Sequence, residues 1–166
     1  MKHYVVLLGA LLIAAPVFSQ EQYVLAFQLN ETSAQVVQRL GRPALVAPAG
    51  EFESWQYQIG IEDNHEFSHV LLFRVSTGEL LSVTRNWEQE RTVDEFFPAA
   101  ESKVYYYPDA EHREYGVRVR HLSGGRLLIA MGSTKAGDPT GQIVLIRESE
   151  LQHFHGWLAK QLSSKH

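Results

Sequence analysis

The sequence predicts an α+β fold: a mostly antiparallel sheet of about five to seven strands, with an N-terminal and a C-terminal helix packed on it. Three observations carry this. A short helix with both ends signed stands after residue 32, alternating segments separated by turn residues fill the middle, and an amphipathic stripe closes the chain.

The first helix is the best marked. Thr32, Ser33, Ala34 and Gln35 form a capping box, in which the threonine hydroxyl accepts the third amide and the glutamine reaches back. Val36, Val37 and Leu40 supply its apolar stripe, Gly41 suits the left-handed stop, and Pro43 prevents continuation.

Strands follow. Residues 53–61 alternate, with Trp55, Tyr57, Ile59 and Ile61 on one face. Glu62, Asp63, Asn64, His65 and Glu66 read as a loop. Residues 67–75 and 80–87 form a hairpin about the turn at Ser76, Thr77, Gly78 and Glu79. Thr92 to Glu95 resembles a second capping box, opening a brief helix that ends by Pro98. Residues 102–107 are a strand. Tyr115, Val117, Val119 and His121 alternate with smaller or basic residues, as a half-buried strand does. Ser123, Gly124 and Gly125 turn the chain into a run over residues 127–131. Residues 132–140 are rich in Gly, Ser, Thr, Asp and Pro and read as a mobile loop. Residues 143–146 are a short apolar strand. A third capping box, Ser-x-x-Gln at residues 149–152, starts the last helix, with Leu151, Phe154, Leu158 and Leu162 as its buried stripe.

The N-terminus has the parts of a cleavable signal peptide. Lys2 and His3 precede an apolar run over residues 4–15, Pro16 breaks it, and Val17, Phe18 and Ser19 offer a cleavage site before Gln20. The run is too short to cross a hydrocarbon core of about 30 Å, and no later segment reaches the necessary ~20 apolar residues. Export is expected, to the periplasm or outside the cell. The domain organisation is then a signal peptide over residues 1–19 and one α+β domain over residues 20–166.

The chain contains no cysteine, which excludes disulfides, thiolate nucleophiles and thiolate metal sites. With 45% apolar and 11% aromatic residues, the core alone can hold the mature chain. A net charge of −4 with scattered basic residues leaves no basic stripe for a nucleic acid.

The motif search points away from catalysis. His153 and His155 lie two apart on a helix, so their side chains diverge. His65 and His69 could approach across a loop but lack an identifiable acidic partner, and His112 and His121 stand singly. Glu62, Asp63 and Glu66, Asp94 and Glu95, and Glu148 and Glu150 read as solvated loop or helix-start charges. No Gly-x-Ser-x-Gly elbow or phosphate-loop spacing occurs. No cofactor or metal is expected.

The helix over residues 32–43, with Gln35, Val36, Leu40, Gly41 and Pro43, followed by Trp55, Gln56 and Tyr57, resembles the SmpA/OmlA/BamE-like small exported modules. The resemblance covers roughly residues 26–97. It implies a helix followed by a three-stranded antiparallel sheet, with residues 98–166 as a β-rich extension ending in a helix. It also implies a non-enzymatic protein-interaction or scaffold role at the bacterial envelope. With no cysteine to carry a lipid, export implies release rather than tethering. The candidate interaction surface is aromatic: Trp87 with Tyr105, Tyr106 and Tyr107, beside the loop over residues 132–140. The other reading is a pocket between sheet and helix for a small molecule, lipid or glycan.

Overall fold

The structure is a computed structural model that describes residues 24–25, 27–62, 65–107 and 115–164. The expected leader over residues 1–19, Asp63 and His112 lie outside the described residues, as do the side chains of Ile59, Ile61, Glu62 and His65.

The described fold opens with α1 (Ser33–Leu40). Its capping box is formed: Thr32 Oγ1 accepts the Gln35 N–H at 3.3 Å, and Gln35 Oε1 accepts the Thr32 N–H at 2.8 Å. Gly41 ends the helix at φ 79°, a conformation that side chains resist, and donates its N–H to the Val37 carbonyl.

Eight strands follow: β1 (Leu45–Ala49), β2 (Phe52–Glu62), β3 (His65–Arg74), β4 (Glu79–Thr92), β5 (Ser102–Tyr106), β6 (Gly116–Leu122), β7 (Arg126–Met131) and β8 (Pro139–Arg147). A 3-10 turn (Glu148–Glu150), α2 (Leu151–Phe154) and α3 (Gly156–Ser163) complete the fold. The strands form one antiparallel sheet in the order β1-β2-β3-β4-β8-β7-β6-β5. Two four-stranded meanders thus meet at the β4–β8 seam. The edge strands are short, and β1 carries Pro48, which cannot donate to a further strand.

Each face is covered by a different part of the chain. On the first face, Phe67, Leu71, Val83, Leu128, Ile143 and Leu145 are buried under Val24, Phe27, Leu29 and the α1 residue Val36. Val93, Phe96 and Phe97 close the same core farther along. A bulge sets the parity: Leu72 pairs with Ser82 but Phe73 pairs with Leu80, so Leu80 joins the face of Val83. On the second face, Val117, Val119, Leu127, Ile129 and Ile146 pack against Leu151, Leu158 and Leu162 of the terminal helices. Each such fully buried side chain contributes about 1.5–3 kcal/mol of burial free energy.

The α+β expectation is corrected by this architecture. Helices of eight, four and eight residues do not make a layer against eight strands, so the fold is dominated by its sheet. Two sequence signals misled. Thr92 ends β4, paired with Pro139, and residues 93–97 are hydrogen-bonded turns rather than a helix. The terminal helix enters through a 3-10 turn with no side-chain cap from Ser149, and it breaks at His155, where φ is −148° and ψ 66°. The three-stranded core implied by the resemblance is overturned too. β4 pairs with β8, and residues beyond 98 supply four of the eight strands rather than an extension.

Candidate functional site

The terminal helices reach over only part of the second face, and a trough opens where their cover ends. Its floor is read from the register. Val70, Thr84, Val144 and Ile129 are directly opposed in turn across β3, β4, β8 and β7. Leu72, Ser82 and Ile146 form the next row on the same face, and Asn86 and Gln142 a row on the other side. Leu151 and Phe154 of α2, with His155, form the wall. The trough holds about 270 Å³ and is open on one side.

The wall is fixed from both ends. Phe154 rests on Phe52 of β2 with ring centroids 5.3 Å apart, and the Arg74 guanidinium lies 5.5 Å from that Phe52 ring. Arg74 Nη2 donates to Glu150 Oε2 at 2.7 Å, joining β3 to the turn before α2. At the other end, the Tyr107 hydroxyl lies 3.2 Å from His155 Nε2, and Tyr107 stacks on Trp157 at 4.4 Å. Burial lowers the His155 imidazole and raises the Tyr107 phenol, so at neutral pH both are uncharged.

The four aromatic candidates separate. Trp87 and Tyr105 are 6% and 7% exposed and belong to the first and second cores, respectively. Strand alternation turns Tyr106 outward, where it is 54% exposed. Tyr107 is half-buried and serves the trough wall. The four do not make one surface.

The loop over residues 132–140 is organised rather than loose. Asp138 accepts the Thr134 and Lys135 N–H groups, each at 2.9 Å, and the Thr134 hydroxyl at 3.0 Å. Asp94 accepts the Gly137 N–H at 2.8 Å and the buried Arg118 Nη1 at 2.6 Å. Arg118 also donates to the Lys135 carbonyl. These hydrogen bonds hold both carboxyls below the usual range, the Arg118 side chain being the larger cause for Asp94 and the Thr134 amide for Asp138.

The histidines disperse. His69 is fully buried in the first core, and His121 is exposed. His153 turns to Glu150 at 3.4 Å while His155 turns to Tyr107. Among the described residues no three His, Asp or Glu side chains are grouped to hold a metal ion.

The trough offers apolar surface, two hydroxyls, one amide and a neutral imidazole, a set suited to holding a molecule. Sequence reading found its parts without assembling them. Thr84 falls in the expected hairpin strand and Gln142 just before the expected strand over residues 143–146, and nothing local shows that β8 lies beside β4. No family model, curated protein or solved structure matches the chain.

Proposed function

We propose that this protein is a non-enzymatic binding module that holds a small, mainly apolar molecule in the trough between its sheet and α2. The observation that carries the reading is the trough itself. Val70, Leu72, Val144, Ile146 and Phe154 line one hollow with uncharged polar groups among them, near the lower end of the size range of ligand pockets. Covering those side chains with an apolar ligand returns about 25 cal/mol for each Å² removed from water. Export, with removal of the leader, belongs to the same proposal, with the ligand met in the periplasm or outside the cell.

The test uses the mature chain and the uncharged fluorophore N-phenyl-1-naphthylamine. Saturable fluorescence enhancement is expected. Thr84→Trp places an indole on the trough floor and should abolish it, with the far-ultraviolet sheet signal unchanged; Tyr106→Ala should leave it intact. Full binding by a folded Thr84→Trp protein would overturn the proposal.

A second reading, docking of another envelope or extracellular protein, keeps one observation. Tyr106 and Tyr115, both 54% exposed, stand at the same end of the β5–β6 pair, where the Tyr107 N–H donates to the Tyr115 carbonyl at 3.0 Å. Cross-linking through a photoreactive group at position 106 in the native envelope tests it. Recovery of uncross-linked monomer alone would refute it.

A further inference from the structure

We infer that the ligand of the trough is an electrically neutral single-chain amphiphile, its chain under α2 and a hydrogen-bonding but uncharged head against Thr84 and Gln142. This rests on the trough being a binding site and names what it selects.

The argument is first one of charge. No lining residue carries a charge at neutral pH: the floor is aliphatic, hydroxyl or amide, and the one titratable group, His155, faces the Tyr107 hydroxyl. Arg74, at the end of β3 on this face, is engaged by Glu150 at 2.7 Å and by Glu51 at 3.6 Å and lies against Phe52. A carboxylate or phosphate entering the trough would find no counter-charge and would lose its hydration. Glu66 and Glu88 line a separate hollow together with Ser68 and Asn86 of the polar row, and neither acid lines the trough. An ammonium head inside the trough is therefore also without a partner.

Polarity then orients the chain. Along the strands the rows change from Leu72, Ser82 and Ile146, through Val70, Thr84 and Val144, to Ser68, Asn86 and Gln142. Successive rows on one face lie about 6.6–6.8 Å apart, so the surface turns from apolar to amide-bearing over roughly 13 Å. Hydroxyl and amide groups both donate and accept, which suits an alcohol, ester or amide head. Among the described residues the side chains of Thr84 and Gln142 make no hydrogen bond within the protein, so a ligand would not have to displace one. The volume of 270 Å³ admits about nine water-sized groups at roughly 30 Å³ each, the size of a medium-length chain rather than a long acyl tail.

Three probes of equal chain length decide the matter: 1-decanol, decanoate and decyltrimethylammonium, each displacing N-phenyl-1-naphthylamine from the mature protein at pH 7.4. Decanol should bind at least about tenfold tighter than either ion. Gln142→Leu should weaken decanol by about threefold to tenfold and leave the fluorophore unaffected. Val70→Lys, which puts a cation on the trough floor, should raise decanoate above decanol. Either ion matching decanol in the wild-type protein would overturn the inference, as would an unchanged decanol affinity in Gln142→Leu. If the fluorophore binds and decanol fails, the neutral-amphiphile assignment falls while the trough stands. If nothing binds, the trough reading falls with it.

Discussion

Lowering the pH from 7 to 5 should cost this protein about 2 kcal/mol of stability through one buried side chain, His69. The residue sits in the first core between Tyr57 and Arg85, its cross-strand neighbours, with the rings of Phe27 and Phe67 at 5.6 and 5.9 Å. Burial first, and then the nearby Arg85 and Arg39 cations, push its pKa from 6.5 down to about 3. Between those values the unfolded chain binds a proton that the folded chain refuses, so stability falls as pH falls below 6.5. At pH 5 the unfolded imidazole is 1.5 pH units below its own pKa. At about 1.36 kcal/mol per unit the penalty is about 2 kcal/mol. His69→Phe keeps a ring of similar shape and removes the titration. Urea denaturation of both proteins at pH 7 and pH 5 isolates the effect, because every other group titrates alike in the two. With a slope of about 2 kcal/mol per M urea, the wild-type midpoint should fall about 1 M further than that of the variant. Equal losses in the two proteins would refute the assignment of His69 as a neutral core residue.

Three further outcomes follow from the same structure. Asp94→Asn removes the carboxylate that joins Arg118 to the Gly137 amide and should cost about 1 kcal/mol, the low end for a pair whose arginine is buried and whose carboxylate is half-exposed. Because the folded Asp94 pKa is lowered, this contribution is present above about pH 4 and lost as pH falls through the folded value; amide exchange over residues 133–137 should quicken in the variant, and an unchanged exchange rate would disprove the clasp. Leu128→Ala, at a fully buried core position, should cost about 2–5 kcal/mol by urea denaturation, against no more than about 0.5 kcal/mol for the exposed Tyr106→Ala. Edman sequencing of the exported protein should begin at Gln20, and an N-terminus at Met1 would count against the leader.

Local chemistry was the legible part of the fold. Thr32, Gln35 and Gly41 signal a helix because each of their contacts lies within a few residues along the chain, and all of those contacts form. Tyr57 and Trp55 fell on the face that packs on the first core, as strand alternation requires. The same local rule failed at Thr92 and Ser149. A Ser or Thr followed by Glu or Gln stabilises a helix start only where no longer-range partner claims the backbone, and Thr92 is claimed by Pro139. Strand order was illegible for a related reason. The pairing of β4 with β8 joins residues about 60 apart in sequence, and no local propensity encodes it. The site inherits that difficulty. Trp87 and Tyr105 were attractive as aromatic anchors, yet their faces depend on register, and register puts both in a core. The trough residues Thr84, Val144 and Leu151 come together only through the seam.

The position of the trough follows from how the sheet is covered. The N-terminal segment and α1 lie over the first face, and the chain then spends itself on strands until residue 147. What remains to cover the second face is short. α2 has four residues, an axial rise of about 6 Å, and α3 returns over β6, β7 and β8, where Leu158 and Leu162 are buried. The cover therefore stops near the β4–β8 seam, while the side chains beyond it stay uncharged: Ser54 and Gln56 oppose Leu72 and Val70, and Ser82 and Thr84 follow on β4. A sheet face meant only for water usually carries charges along its strands, and here the charged residues stand at its ends, Arg74 at one and Glu88 at the other. An uncharged face half-roofed by a pinned single-turn helix is unfinished as a core and well suited as a receptor. The two contacts that hold the roof, Phe154 on Phe52 and Arg74 on Glu150, lie at the rim of the trough rather than in its floor, so they fix α2 without occupying the floor.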